Sequence, residues 1–324
     1  MQSDKQNLTD KKVSRRNLLK GTAASAVALG SGMLSFEQLA KAQSDVQIIN
    51  GAGYYRFALG DFKVTSISDG QFSIPTTNFA VNASPTSIHA LLQTFGLNPE
   101  MAQAALNVTL IETGDALVLF DTGGKGLSPA TGSLSAALSQ IGISPEDITH
   151  VAFTHAHPDH VGGTIDADGN PIFSNAHYFM AETEWNHWLS LEGPTPEFIA
   201  NHILPLEDQM TLFQGDEEIL PGIYAISTPG HTPGHMAYSI SSNDEKLVVT
   251  GDTSNHYVMS LKNPDWHFGF DSDPEQATKT RIALFNHLAE ENIKVLAYHF
   301  PFPGVGHVVA SQTFENEWTW VPTP

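Results

Sequence analysis

From residue 53 onward, short apolar runs punctuated by Gly, Pro and Asp dominate the chain, and most carry the two-residue period of strands. Phe62–Ser68 alternates apolar and polar residues and is predicted to end as a strand at Asp69-Gly70. Asn107–Thr113 and Ala116–Phe120 flank Gly114-Asp115 and read as a hairpin. Ile148–Phe153, Ala176–Met180, Val248–Asp252 and Val295–His299 are further short runs, β-branched or aromatic, that suit buried strands. The helical period surfaces in fewer places. Ser133–Ile141 sets Leu134, Ala137 and Leu138 on one face, and residues 181–214 are helical in pattern and rich in aromatics, including Trp185, Trp188, Phe198 and Phe213. Asp273-Pro274-Glu275-Gln276 offers an N-cap, a proline at the first helical position and a capping-box partner, for a helix to about Glu291 that buries Ile282, Phe285 and Leu288. No linker or repeat interrupts this pattern, so residues 43–324 are expected to form one domain.

One loop changes the picture from fold to chemistry. Thr154–Gly163 reads THAHPDHVGG and packs His155, His157, Asp159 and His160 into six positions after a strand. Pro158 is expected to bar a helix there, and Gly162-Gly163 to let the chain turn. Alternation would send His155 and His157 one way and the bend Asp159 and His160 another, so the loop can feed two metal ions. A His-rich surface loop is the bland alternative. Against it, further donors end other apolar runs: His231 and His235 in Thr228–His235, Asp252, and His299.

The H-x-H-x-D-H loop with these downstream donors resembles the metallo-β-lactamase superfamily. That resemblance implies an α+β, four-layer αββα sandwich. It implies one divalent ion on His155, His157 and His231, a second on Asp159, His160 and His299, and Asp252 bridging them. Asp121, in Asp121-Thr122-Gly123, would prop the metal loops, and His235 would support from behind. Imidazole and carboxylate without thiolate suit Zn²⁺, with Mn²⁺, Co²⁺ or Fe²⁺ also compatible. Two such ions can share a hydroxide as nucleophile. Asp252 and Asp159 head the catalytic candidates, His256 and Tyr257 could donate to a developing oxyanion, and His307 could orient a ligand. Trp188 is the candidate for a hydrophobic wall over the metals. Beyond the metal motifs, Gly53–Gly70, DTGGKG from Asp121, PGIYAI from Pro221, FPGVGH from Phe302 and the final WVP are similar to the methyl parathion hydrolase group. This implies small-molecule substrates: lactones, esters or aryl phosphotriesters. Ser128 stands where the insecticide hydrolase carries an aromatic pocket residue, which favours a lactone or carboxylic ester. Alternatives are a glyoxalase II-like thioesterase, an iron-dependent oxidoreductase on the same fold and a non-catalytic binding protein.

Composition narrows these readings. The chain has 15 Lys+Arg, 35 Asp+Glu and no Cys, for a net charge of −20. Such a surface repels phosphate backbones, so no nucleic-acid partner is expected, and a basic glutathione site would be hard to build. Residues 1–42 read as an export signal. Ser14-Arg15-Arg16-Asn17-Leu18-Leu19-Lys20 resembles a twin-arginine motif, an Ala/Gly-rich stretch follows, and Ala40-Lys41-Ala42 offers a cleavage site. The expectation is recognition by the twin-arginine export machinery and a periplasmic or secreted product without a stable membrane anchor.

Overall fold

The computed structural model of the chain describes residues 53–191 and 196–323; the expected signal segment, residues 1–42, lies outside them. Two seven-stranded mixed sheets pack against each other. In the first, β1 (Tyr54–Leu59), β2 (Phe62–Pro75), β3 (Met101–Glu112) and β4 (Leu117–Phe120) are antiparallel, and β5 (His150–Ala152), β6 (His177–Ala181) and β7 (Met210–Phe213) continue in parallel. In the second, β8 (Glu217–Leu220), β9 (Ile223–Ser227), β10 (Met236–Ser242), β11 (Glu245–Val249), β12 (Lys294–Leu296), β13 (Val305–Ala310) and β14 (Trp318–Pro322) pair in chain order. Only β11 and β12 are parallel there. Parallel neighbours need long crossovers, and the helices lie mostly in them: α1 (Pro85–Thr94) between β2 and β3, α2 (Leu134–Gln140), α3 (Pro158–Val161), α4 (Glu182–Ser190), α5 (Glu197–His202), α6 (Met259–Lys262) and α7 (Pro274–Glu290).

The alternation of strand residues explains the four layers. In β4, Val118 and Phe120 enter the core between the sheets, while Leu119 enters the core beneath α2 and α5. In β11, Leu247 and Val249 face the inter-sheet core and Val248 faces α7, beside Val295 of β12. Strands covered on both faces read as unbroken apolar runs, which is how these segments appear in sequence. The observed architecture is the αββα sandwich expected from the sequence.

Several local expectations change. β2 does not stop at Asp69-Gly70 but runs on to Pro75 through a bulge between Ser68 and Gly70. The bulge turns Asp69 inward, where its carboxylate accepts from the backbone N–H groups of Gly124 (2.9 Å), Gly132 (3.1 Å) and Leu134 (2.8 Å). It thereby pins the loop after β4 to the start of α2. Burial pushes the Asp69 carboxyl up, against the four backbone contacts that pull it down. Within 181–214, Met210–Phe213 is a strand rather than helix, since Phe213 fills the inter-sheet core beside β6. Pro158 opens a helical turn instead of barring one: at the first helical position its missing N–H costs nothing. α7 starts as expected, with Asp273 accepting from the N–H of Gln276. The reciprocal half of the capping box is replaced by a bond from Gln276 to Thr280.

Replacing Asp69 by Ala strips three backbone donors of their acceptor. Asp69→Ala is expected to cost on the order of 3 kcal/mol in urea denaturation, and Asp69→Asn, which keeps one acceptor oxygen, clearly less.

Candidate metal centre

Four connections meet at one rim of the sandwich: those after β4, β5 and β11, and the turn between β9 and β10, joined by the segment after β12. Each brings imidazole or carboxylate. His155, His157 and His231 place one nitrogen apiece within 4.8 Å of one another; so do the donor atoms of Asp159, His160 and His299, and those of His155, His160 and Asp252. His155 Nε2 is 3.0 Å from His157 Nδ1, which is 2.9 Å from His231 Nε2. Asp252 reaches both groups. Its Oδ2 lies 3.2 Å from His231 Nε2, and its Oδ1 lies 3.2 Å from both His160 Nε2 and His299 Nε2. Asp159 Oδ2 is 3.3 Å from His299 Nε2.

The outer partners fix which nitrogen of each ring carries the proton. His160 Nδ1 donates to Asp121 Oδ2 (2.8 Å), His231 Nδ1 to Asp271 Oδ1 (2.9 Å) and His299 Nδ1 to the carbonyl of Ala105 (2.8 Å). Thr154 spends its hydroxyl proton on Asp121 (2.8 Å), so its oxygen accepts from His155 Nδ1 (3.1 Å). Each of these four rings thus turns a bare Nε2 inward. Asp121, at a positive φ of 61°, also accepts from the Thr154 N–H and is the prop of the β5 loop. His235 contributes differently. Its Nε2 accepts the backbone N–H of Asp252 (2.9 Å), and its Nδ1 contacts Thr228 (2.8 Å), so it orients the carboxylate from behind.

This geometry fits metal ions. Ring nitrogens of several imidazoles converge on one another, and among the described residues the buried His160 Nε2 and Asp252 Oδ1 have no hydrogen-bond partner. Tetrahedral Zn–N bonds of about 2.0–2.1 Å put ligand nitrogens roughly 3.3 Å apart, close to the spacings seen. Burial drives the His157 imidazole down to about 3 and holds His155 well below its usual range. For His231 and His299 burial is overcome by the Asp252, Asp271 and Asp159 carboxylates, which raise them to about 9 and about 10. Asp159 goes the other way: despite burial, the facing His160 and His299 hold it near 2. Proton and metal compete for the same lone pairs, and the negative field that would charge the rings also neutralises a cation. These clusters support a binuclear site.

Two buried groups invisible to motif reading complete it. Glu184 of α4 accepts from the N–H of Ala156 (2.9 Å), Trp188 Nε1 (2.7 Å), Thr232 Oγ1 (2.6 Å) and the N–H of Gly234 (3.2 Å), tying the β5 loop to the β9–β10 turn. Asp271 lies in an irregular loop and is backed by the buried Arg281, 3.6 Å away. Neither sits in a recognisable spacing; the acidic first turn of α4 was the only available hint for Glu184.

The metal donors form the floor of a cavity of about 230 Å³ walled by Phe72, Ile74, Phe79, Leu127, Phe268 and Phe270. Phe268 stacks on His231, with ring centroids 5.8 Å apart. Trp188 is not among the residues that line this cavity. It packs edge-on against His157 at 5.6 Å and spends its N–H on Glu184, holding ligand and tie in place. Ser128 lines a neighbouring surface groove, and Leu127 takes the place on the cavity wall. His256 and Tyr257 border a separate cavity, and His307 sits on β13 opposite Val321, half-buried.

Residues 104–298 match the metallo-beta-lactamase superfamily. The N-acyl homoserine lactonase of Bacillus cereus is 29% identical over 136 residues, 42% of this chain and 50% of that protein. Metallo-beta-lactamase domain-containing protein 1 of Xenopus laevis is 28% identical over 248 residues, 75% of this chain and 92% of that protein. The match spans about half the length of the lactonase. Among solved structures, AidC, a dizinc quorum-quenching lactonase in complex with a product, superposes with a TM-score of 0.77 at 26% identity, covering 84% of this chain and 98% of that one. The hydrolase AbOPH of the beta lactamase superfamily gives 0.78 at 28% identity, with the same coverage.

Elemental analysis of the purified chain is expected to find two divalent ions per molecule, lost on acidification as the imidazoles protonate. Asp271→Ala, which frees the outer nitrogen of His231, is expected to weaken metal binding about 10–100-fold in a chelator competition.

Proposed function

Because the chain belongs to the metallo-beta-lactamase superfamily and is a metal-dependent hydrolase with lactonase-like relatives, we propose that it opens uncharged lactones and related carboxylic esters at a two-metal centre. In this reading His155, His157 and His231 hold one ion, Asp159, His160 and His299 the other, and Asp252 spans both. The observation that carries it is the join between this donor floor and a wall that is apolar and aromatic, with no Lys or Arg on it among the described residues. Such a wall accommodates an acyl or aryl group and offers nothing to a glutathione carboxylate, which speaks against the thioesterase alternative.

Two divalent cations held by this floor would supply Lewis acidity and lower the pKa of water there. The chain supplies position and a proton path. Asp252, its side chain 4% exposed, is held by Asn255 Nδ2 (2.8 Å) and through its N–H by His235, so it is fixed. Asp159 is 15% exposed and lines the cavity, within reach of substrate. It is the residue placed to take a proton at its carboxylate and return it to the leaving oxygen. Phe79, Phe268 and Phe270 exclude water from the face of the bound ester and orient it over the donors.

Aryl phosphotriester hydrolysis, as in the methyl parathion hydrolase-like group, is the second reading. It is favoured by the four phenylalanines of the wall, which supply an aromatic pocket without any contribution from Ser128. We further propose that residues 1–42 direct the chain through the twin-arginine route to the periplasm or beyond, on the strength of the Ser14–Lys20 motif and the Ala40-Lys41-Ala42 site.

A kcat/KM comparison on metal-loaded protein tests the assignment, with an aryl lactone, an acyl-homoserine lactone, a dimethyl aryl phosphotriester and a glutathione thioester as substrates. Lactone turnover at least tenfold above the others is expected, a margin of about 1.4 kcal/mol in transition-state binding. A dominant phosphotriester would establish the second reading. Asp159→Asn is expected to lower kcat about 10²–10⁴-fold and to weaken binding of the ion that Asp159, His160 and His299 would hold.

A further inference from the structure

A second cavity, about 510 Å³ against about 230 Å³ over the metal donors, lies on the other side of a thin partition. Neighbouring residues divide between the two. Ala104 lines the metal cavity and Ala105 the other; His299 faces the donors, while Pro301 and Phe302 line the far side. The Phe79 ring, on the metal side, meets the His256 ring edge-on at 5.4 Å.

The polar groups of this second cavity each keep hydrogen-bonding capacity that nothing else among the described residues engages. His256 is 5% exposed, and its Nδ1 accepts the backbone N–H groups of Val258 and Met259, both at 3.1 Å. That leaves its proton on Nε2, which has no hydrogen-bond partner among the described residues. Tyr257 stacks on it with ring centroids 4.9 Å apart, and its hydroxyl is equally unengaged among the described residues. Asn98 spends its carbonyl oxygen on the N–H groups of Glu100 and Met101, leaving its amide donor. Gln103 commits its amide nitrogen to Ser73 and keeps a carbonyl acceptor. Leu97, Met101 and Phe302 complete the wall, and no Lys, Arg, Asp or Glu among the described residues lines it. The volume falls within the range of small-molecule sites.

We propose that this cavity is a second ligand site, taking an uncharged carbonyl compound (an amide, ester or lactone) whose oxygen accepts from His256 Nε2 and Tyr257 Oη while its apolar part rests on Met101 and Phe302. A cation finds no counter-charge there. An anion finds none either, in a chain of net charge −20. His256 and Tyr257 thus act in binding on the far side of the partition, apart from the metal floor.

The test uses the full metal-loaded chain with N-phenylacetamide as probe, followed by calorimetry and by crystal soaking. Saturable one-to-one binding is expected, with the carbonyl oxygen within hydrogen-bond distance of His256 and Tyr257. Tyr257→Phe should weaken Kd at least fivefold. So should His256→Asn, whose shorter side chain can still cap Val258 and Met259 but no longer reaches the cavity. Met101→Trp, which fills the space, should abolish binding. The proposal is overturned by an absence of saturable binding up to the solubility limit, by density over the metals alone, or by affinity unchanged in both polar variants. Benzoate binding tenfold tighter than the amide would overturn the uncharged ligand class.

Discussion

Four of the histidines at the centre depend on a partner one layer further out that takes the proton from the other end of the ring. Asp121 does this for His160, Asp271 for His231, the Ala105 carbonyl for His299 and Thr154 for His155. Without these acceptors each imidazole could present either nitrogen, protonated or bare, and the inward lone pairs would not coincide. With them, tautomer and ring orientation are set before any ion arrives. The cost is a knot of buried polar atoms, two of which, His160 Nε2 and Asp252 Oδ1, have no hydrogen-bond partner among the described residues. Buried polar groups left unsatisfied are costly, and an arrangement that holds them this way is built to be completed by cations.

The sandwich exists to hold that outer layer. β4 and β5 run parallel, so Asp121 and Thr154 emerge side by side from the same edge. β11 and β12 repeat the device in the second sheet, bringing Asp252 and His299 out together. The inter-sheet core locks the two pairs against each other, and Asn107 of β3 crosses the gap to bond the carbonyls of Ala297 and Phe300. Glu184 closes the arrangement on the remaining side. Close approach has steric conditions too: a Cβ on Gly163 would lie 2.0 Å from the Thr122 carbonyl oxygen, so only glycine lets the β5 loop settle onto the β4 loop.

The cavity wall has a separate origin. The metal floor is polar and negative, but the wall above it comes from segments remote in sequence, Phe72 of β2, Phe79 before α1, and Phe268 and Phe270 in the loop before α7. Phe270 and Leu127 stand at its rim, 54% and 46% exposed. Donors and phenylalanines thus reach one cavity from different parts of the chain.

The sequence by itself determined the layers and the donors. Strand period and short apolar runs are local properties, and they located the β3–β4 hairpin, the β5 and β12 strands and α7. Of the donors, His155, His157, Asp159 and His160 stand out by their tight spacing after a strand, and His231, Asp252 and His299 by their resemblance to the metallo-β-lactamase ligand set. Tertiary structure alone decided the rest. Asp69 reads as a turn residue, yet a bulge makes it a buried tie; Met210–Phe213 reads as helix, yet packing against β6 makes it a strand. Trp188 reads as a wall, yet its N–H is claimed by Glu184. His256 and Tyr257 follow Asp252 closely in sequence, yet the partition formed with Phe79 puts them in another cavity. Asp271 and Arg281 carry no motif at all. In each case the deciding contact joins residues far apart in the chain, and no local pattern of hydrophobicity or spacing encodes such a contact.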